Sequence, residues 1–168
     1  MNILFLCTGN SCRSILAEAV FNHLAPAGWQ AMSAGSKPAG FVHPRSLALL
    51  ARVGISTAGY HSKSWDHLPL TPDIVISVCA NAANETCPVY LGSVYSAQLL
   101  RGHWGVEDPA HVTGSDDVIE AAFFTAYSIL RARIEAFLAL PLATLQQEPS
   151  ALKAAIEKIA SITDSNNP

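Results

Sequence analysis

The run Asn2-Ile3-Leu4-Phe5-Leu6 leads directly into the polar stretch Cys7-Thr8-Gly9-Asn10-Ser11-Cys12-Arg13-Ser14. After it, Leu16, Val20 and Leu24 recur every fourth residue, flanked by Ala17 and Phe21. A short apolar run without alternation suits a strand covered on both faces. The four-residue recurrence is one face of an amphipathic helix. A strand joined to a helix by so tight a loop sends the helix back over the sheet, which confines the chain to an α/β architecture.

The loop places a thiol, Cys7, and a guanidinium, Arg13, at its two ends. Backbone amides of such a loop converge on an anion, the helix N-terminus adds partial positive charge, and an arginine fork takes two oxygens of a tetrahedral group. An arginine opening a helix opposes the helix dipole and so calls for an anion beside it. A cysteine beside an arginine and a helix N-terminus favours the thiolate, its nucleophilic form. The bland alternative for Cys7 is a buried structural thiol at a strand end. Cys7 is therefore the candidate nucleophile, and Thr8, Gly9, Asn10, Ser11, Cys12, Arg13 and Ser14 are the candidate oxyanion-binding residues.

Further along, apolar runs alternate with helical patterns. Strands are expected near 2–7, 29–34, 73–79 and 97–101, and helices near 13–25, 44–53 and 117–139. That order predicts an α/β fold with a four-stranded, parallel, doubly wound sheet and helices on both faces. In the long helix, Ile119, Ala122, Phe123, Ala126, Leu130, Ile134 and Phe137 form one core-facing stripe. Positions 56–72 read as a long loop, and Pro141 closes the long helix. Leu152, Ile156 and Ile159 suggest a short terminal helix with Ser150 as its cap, followed by a poorly ordered tail. Residues 1–140 thus read as a catalytic domain and 141–168 as a C-terminal extension. Ligands of open α/β sheets gather at the carboxyl ends of strands, where Cys7, Cys79 and Asp108 fall.

Half of the 168 residues are hydrophobic, 14% are charged, and the net charge is −3. That balance fills a core and offers no basic footprint for nucleic acid. No membrane partner is expected either, because the most apolar long stretch, 118–140, is interrupted by Glu120, Arg131, Arg133 and Glu135. No secretion-type leader is visible, so a cytoplasmic location is expected, where cysteines are kept as thiols. Cys79 and Cys87 then read either as a packed strand residue and an incidental loop thiol, or as exchange partners of Cys7. A zinc site lacks a histidine pair to complete it. Asp108-Pro109 taken alone is an ordinary turn opener.

As a set, the Cys7–Ser14 loop, Ser33-Ala34-Gly35, His43-Pro44-Arg45, the 79–87 segment and Asp108-Pro109 resemble the arsenate reductases of the low-molecular-weight protein tyrosine phosphatase superfamily. The resemblance implies that Asn10 shapes the loop through a left-handed backbone and that Ser14 hydrogen-bonds the Cys7 thiolate. It implies that Arg13 binds the substrate oxyanion and that Asp108 is a general acid. It also implies a relay in which Cys7 attacks arsenate, Cys79 attacks the Cys7 sulfur, and Cys87 passes the oxidation to an external thiol. That reductant is thioredoxin, or glutathione or mycothiol with a glutaredoxin-type protein, with no bound cofactor and no metal. Phosphate and sulfate are expected substrate analogues. The alternative is phosphomonoester hydrolysis through a Cys7 phosphoenzyme, although Ala110-His111 stands where the tyrosine phosphatases usually carry aromatic residues. Lys37 and Arg45 are read as added positive potential, Cys12 as a packed loop residue or a partner for Cys7, and the scattered histidines are given no role.

Overall fold

A computed structural model describes residues 1–79 and 99–163. In chain order they form β1 (Asn2–Cys7), α1 (Arg13–Leu24), β2 (Gln30–Gly35), α2 (Pro44–Arg52), β3 (Ile74–Cys79), β4 (Leu100–Val106), α3 (Asp116–Leu138), α4 (Leu142–Leu145) and α5 (Pro149–Ile159). Short 3-10 turns occur at Trp65–His67 and Pro109–His111. The strands make one parallel sheet in the order β2-β1-β3-β4, so β1 is central and all four carboxyl ends share one edge.

The two sides of β1 serve two cores. Ile3, Phe5 and Cys7 join Ile74, Ile76 and Trp104 beneath the helices. Leu4 and Leu6 join Met32, Ala34 and Val75 on the other face, where Trp65 of the first 3-10 turn packs with Leu68 and Leu99. Every residue of α1 from Arg13 to Phe21 is buried, because the helix is wedged between the sheet and α3. In α3 the buried residues include Phe123, Ala126, Leu130, Ile134 and Phe137 of the expected stripe, together with Tyr127 and Arg133. Ser115 Oγ accepts from Val118 N at 3.4 Å, and Asp116 and Asp117 occupy the first turn, where the helix dipole favours acids.

Two local expectations are corrected. The last strand lies at Leu100–Val106 instead of 97–101. Its two glycines and its alternation of covered and exposed residues make no continuous apolar run, as suits an edge strand. Trp104, expected beyond the strand, is therefore within β4, fully buried with its ring 6.2 Å from both Phe5 and Phe137. Secondly, Ser150 does not cap the terminal helix: α5 opens at Pro149 with Glu148 in the cap position and no side-chain cap bond. Proline at the first helical position supplies a preset φ in its place. The expected disordered tail falls mostly outside the described residues, as 164–168 are not among them. Among the described residues no helix is long and apolar enough to cross a membrane.

Candidate active site

The end of β1 delivers Cys7 to the loop, and Cys12 O accepts from Leu16 N at 2.9 Å to start α1. The outward carbonyls of the loop are tied to its surroundings. Thr8 O accepts from Lys37 N at 3.0 Å, Gly9 O from Ala39 N at 2.8 Å and from Ser62 Oγ at 3.2 Å, and Ser11 O from His43 N at 3.0 Å. In a trans peptide the N–H points opposite to its carbonyl, so the amides of Gly9, Asn10 and Cys12 face the other way, into the concavity. This is an anion nest continued by a helix N-terminus.

Cys7 Sγ lies within that concavity, 3% exposed, accepting from Asn10 N at 3.1 Å and 2.9 Å from Ser14 Oγ. Asn10 has φ 44, the one left-handed non-glycine among the described residues, and it is fully buried. Its side chain holds that conformation: Nδ2 donates to Ser14 Oγ at 2.9 Å and Ser33 Oγ at 2.8 Å, and Oδ1 accepts from Lys63 N at 2.7 Å. Ser33 Oγ in turn donates to Glu18 Oε2 at 2.5 Å, and Lys63 Nζ sits 3.4 Å from the same oxygen. Burial raises the Glu18 carboxyl above its ordinary range, against the opposing pull of Ser33 and Lys63. Gly35 lies directly beneath this loop, where a Cβ would collide with Thr8 O and come within 3.0 Å of Asn10 N.

Arg13, the first residue of α1, is 3% exposed. Its Nη1 donates to Val106 O at 3.0 Å and its Nη2 to Asp108 Oδ2 at 2.6 Å. Asp108 caps the second 3-10 turn, its Oδ1 accepting from Ala110 N at 3.1 Å. A cavity of about 450 Å3 opens over these groups, with Ala39, Phe41, His43 and His111 on its walls. A larger groove, about 740 Å3, lies at the opposite edge of the sheet around Trp29, Ile74 and Leu152, and no thiol or histidine among the described residues lines it.

Cys79 ends β3 and is fully buried, its Sγ 4.0 Å from Thr8 Oγ1. The register pairs Leu6 with Ser77, so Cys79 stands beside the first loop residue, one position beyond Cys7. Cys87 lies outside the described residues. Cys12, the last loop residue before α1, is 5% exposed, and burial pushes its thiol up to about 12, so it stays protonated and a poor nucleophile at neutral pH.

Residues without an assigned role also enter the site. His43 caps α2, its Nδ1 accepting from Arg45 N at 3.2 Å, which leaves the proton on Nε2 of the neutral ring. Burial and Arg45 lower its pKa, and the ring rests 4.8 Å from Phe123. Its signal in the sequence was position: the residue before a helix-opening proline is a cap. Arg45 instead pairs with Asp116 at 2.6 Å and Glu120 at 3.8 Å on α3, so its charge is spent there. Lys37 contributes its backbone N–H to the loop. Among the described residues no cluster of three or more His, Cys, Asp or Glu could hold a metal.

Comparison with known proteins places this arrangement among relatives. An arsenate reductase of Shouchella clausii is 34% identical over 137 residues, spanning 80% of this chain and 93% of the relative. A solved arsenate reductase in the phosphate binding state superposes with a TM-score of 0.66 at 28% identity, covering 82% of this chain and 96% of its own. The crystal structure of arsenate reductase from Archaeoglobus fulgidus gives 0.61 at 26% identity, over 79% and 98% respectively. A family model described as low molecular weight phosphotyrosine protein phosphatase matches residues 2–151. Since that match takes in the sheet, the loop from Cys7 to Arg13 and the Asp108-Pro109 turn, the chain belongs to the low molecular weight phosphotyrosine protein phosphatase family.

Proposed function

We propose that the protein reduces arsenate to arsenite by covalent thiol catalysis, with Cys7 as nucleophile, Cys79 and Cys87 as relay and an external dithiol as reductant. The observation that carries this reading is the second sulfur: Cys79 Sγ is 4.0 Å from Thr8 Oγ1, at the same sheet edge as Cys7. In phosphomonoester hydrolysis this second thiol takes no chemical part and is a packed strand residue, whereas in arsenate reduction it is the group that collects the oxidation. The arsenate reductases among the relatives give the same direction.

Arsenate binds in the amide nest with Arg13 opposite its oxygens. The Cys7 thiolate forms a sulfur–arsenic bond as an arsenic–oxygen bond breaks, and the departing hydroxyl takes a proton from Asp108 and leaves as water, a role worth ~10² to 10⁴ in rate. The Arg13–Asp108 contact must open for this, and the incoming anion replaces the carboxylate as the partner of the guanidinium. The Cys79 thiolate then attacks Cys7 Sγ. A Cys7–Cys79 disulfide forms, and the electron pair of the sulfur–arsenic bond stays on arsenic, released as arsenite. Cys87 attacks Cys79, freeing Cys7, and thioredoxin, or glutathione or mycothiol through a glutaredoxin-type protein, reduces the Cys79–Cys87 disulfide. No resident cofactor or metal enters these steps, and a relay of free thiols suits the cytoplasm, where cysteines are kept reduced.

Phosphomonoester cleavage is the second reading, favoured by a cavity of about 450 Å3 that exceeds a single tetrahedral oxyanion. The two separate on one set of variants. Arsenate-dependent NADPH oxidation coupled through thioredoxin should be lost in Cys79→Ser and Cys87→Ser, while cleavage of an aryl phosphate persists in both. Undiminished arsenate turnover in Cys79→Ser would overturn the reductase reading.

A further inference from the structure

β4 is an edge strand, and its end is not regular. From the Ser77–His103 pair to the Cys79–Val106 pair, β3 advances two residues and β4 three, so β4 bulges just before the general-acid turn. Bulges of this kind bend an edge strand and re-aim the residues beyond them. The two carbonyls at the bulge are held by different guanidiniums. Gly105 O accepts from Arg133 Nη1 at 3.1 Å, and Val106 O accepts from Arg13 Nη1 at 3.0 Å.

Arg133 has a second anchor. Its Nε donates at 2.9 Å to Ile162 O, just past the C-terminal end of α5, where the helix dipole favours a cation. α5 is fastened to β4 again by Trp104 Nε1, which donates to Ile156 O at 3.0 Å, and by Gly102, whose missing Cβ leaves the space that Ile156 fills. Arg133 is 5% exposed, and among the described residues its polar partners are carbonyls, with no carboxylate in ion-pair range. A buried guanidinium without a counter-ion is expensive. An apolar side chain would satisfy packing alone, whereas this one fixes two backbone points. The family match ends at residue 151, inside α5, so most of the segment it grips lies beyond the matched residues.

We propose that Arg133, with the C-terminal segment Pro149–Ile162, is a positioning element for Asp108: it sets the bulged end of β4, and with it the place from which the following turn holds Asp108 over the anion loop once the incoming anion has displaced its carboxylate from Arg13. The proposal rests on the reading of Cys7 as nucleophile and Asp108 as acid. Arg133 touches no substrate and acts through β4.

A double-mutant cycle tests it in the full-length protein. Arg133→Met should lower kcat for arsenate about tenfold with KM held within about twofold, a part of the ~10² to 10⁴ that a general acid supplies. In an Asp108→Asn background the same substitution should cost less than about twofold, because no acid remains to be misplaced. Trp104→Phe keeps an aromatic ring, though a smaller one, but loses the bond to Ile156 O, and should show a smaller loss with the same dependence on Asp108. Arg133→Lys, which keeps the charge and one carbonyl, should recover part of the activity. If Arg133→Met does not fold, the cycles with Trp104→Phe and Arg133→Lys carry the test. Equal losses in both backgrounds, or no loss, overturn the proposal. The cycle is repeated with an aryl phosphate: a parent chain inactive on both substrates overturns the functional reading and this inference with it, whereas an active parent with an additive cycle overturns this inference alone.

Discussion

Asn10 carries more of the loop than any other side chain, and Asn10→Ala has a cost that can be worked from its contacts. Alanine at φ 44 carries a left-handed penalty of about 1–2 kcal/mol, which asparagine largely escapes. Deleting Oδ1 strands the Lys63 N–H, now bonded at 2.7 Å, in a partly buried place, at about 1–3 kcal/mol. Ser14 and Ser33 fare better, since each keeps a second partner in Cys7 Sγ and Glu18 Oε2. The sum is about 2–5 kcal/mol against a total stability of ~5–15 kcal/mol, so the variant folds but its urea midpoint drops clearly. Asn10→Gly spares the dihedral penalty, and after glycine's extra unfolded freedom is discounted it should be more stable than Asn10→Ala by roughly 1 kcal/mol. Both should lose about 10²-fold in arsenate turnover, because the amide donating to Cys7 is no longer held in place. Urea titrations of the three chains, with kcat measured on each, make the comparison. An alanine variant within about 0.5 kcal/mol of the parent, or a glycine variant less stable than the alanine one, would refute the reasoning.

Two titrating groups give further outcomes. Burial raises the Glu18 carboxyl above 4.5, so between that value and its folded pKa the folded chain binds more protons than the unfolded one, and stability must fall as pH rises through the interval. Urea midpoints against pH should show this slope in the parent and lose it in Glu18→Gln; identical slopes would remove Glu18 as the cause. Cys12, pushed up to about 12, should stay unlabelled when the folded protein meets iodoacetamide at about pH 8, while peptide mapping finds Cys7 modified. Equal labelling of the two would contradict the assigned environments.

The fold was legible where residue pattern and packing coincide. Continuous apolarity marked β1 and β3 because both are interior strands, and the stripe from Phe123 to Phe137 marked α3 because one face of it meets the core. β4 was misplaced because an edge strand whose glycines make room for a helix has no apolar run to read. The anion loop was legible as a local object, since thiol, amides and arginine lie within seven consecutive positions, Cys7 to Arg13. Its distant partners were not. The contacts of Asn10 with Ser33 and Lys63, of Arg13 with Val106, and of Arg133 with Gly105 and Ile162 are made by tertiary placement, and spacing in the chain carries no trace of them. His43 lies between these cases: its capping role is local, but its place on the cavity wall depends on how α2 packs.

The central claim is that the sulfur of Cys79 takes over from Cys7 when arsenic is reduced. Removing the third thiol by Cys87→Ser stops the relay at that point, and the chain can then be treated with stoichiometric arsenate, quenched in acid with an alkylating agent and mapped by mass spectrometry. The account predicts arsenite in equal amount to a peptide pair joined through Cys7 and Cys79. Arsenate left unreduced with Cys7 and Cys79 both alkylated, or a disulfide joining Cys7 to Cys12 in its place, would contradict it.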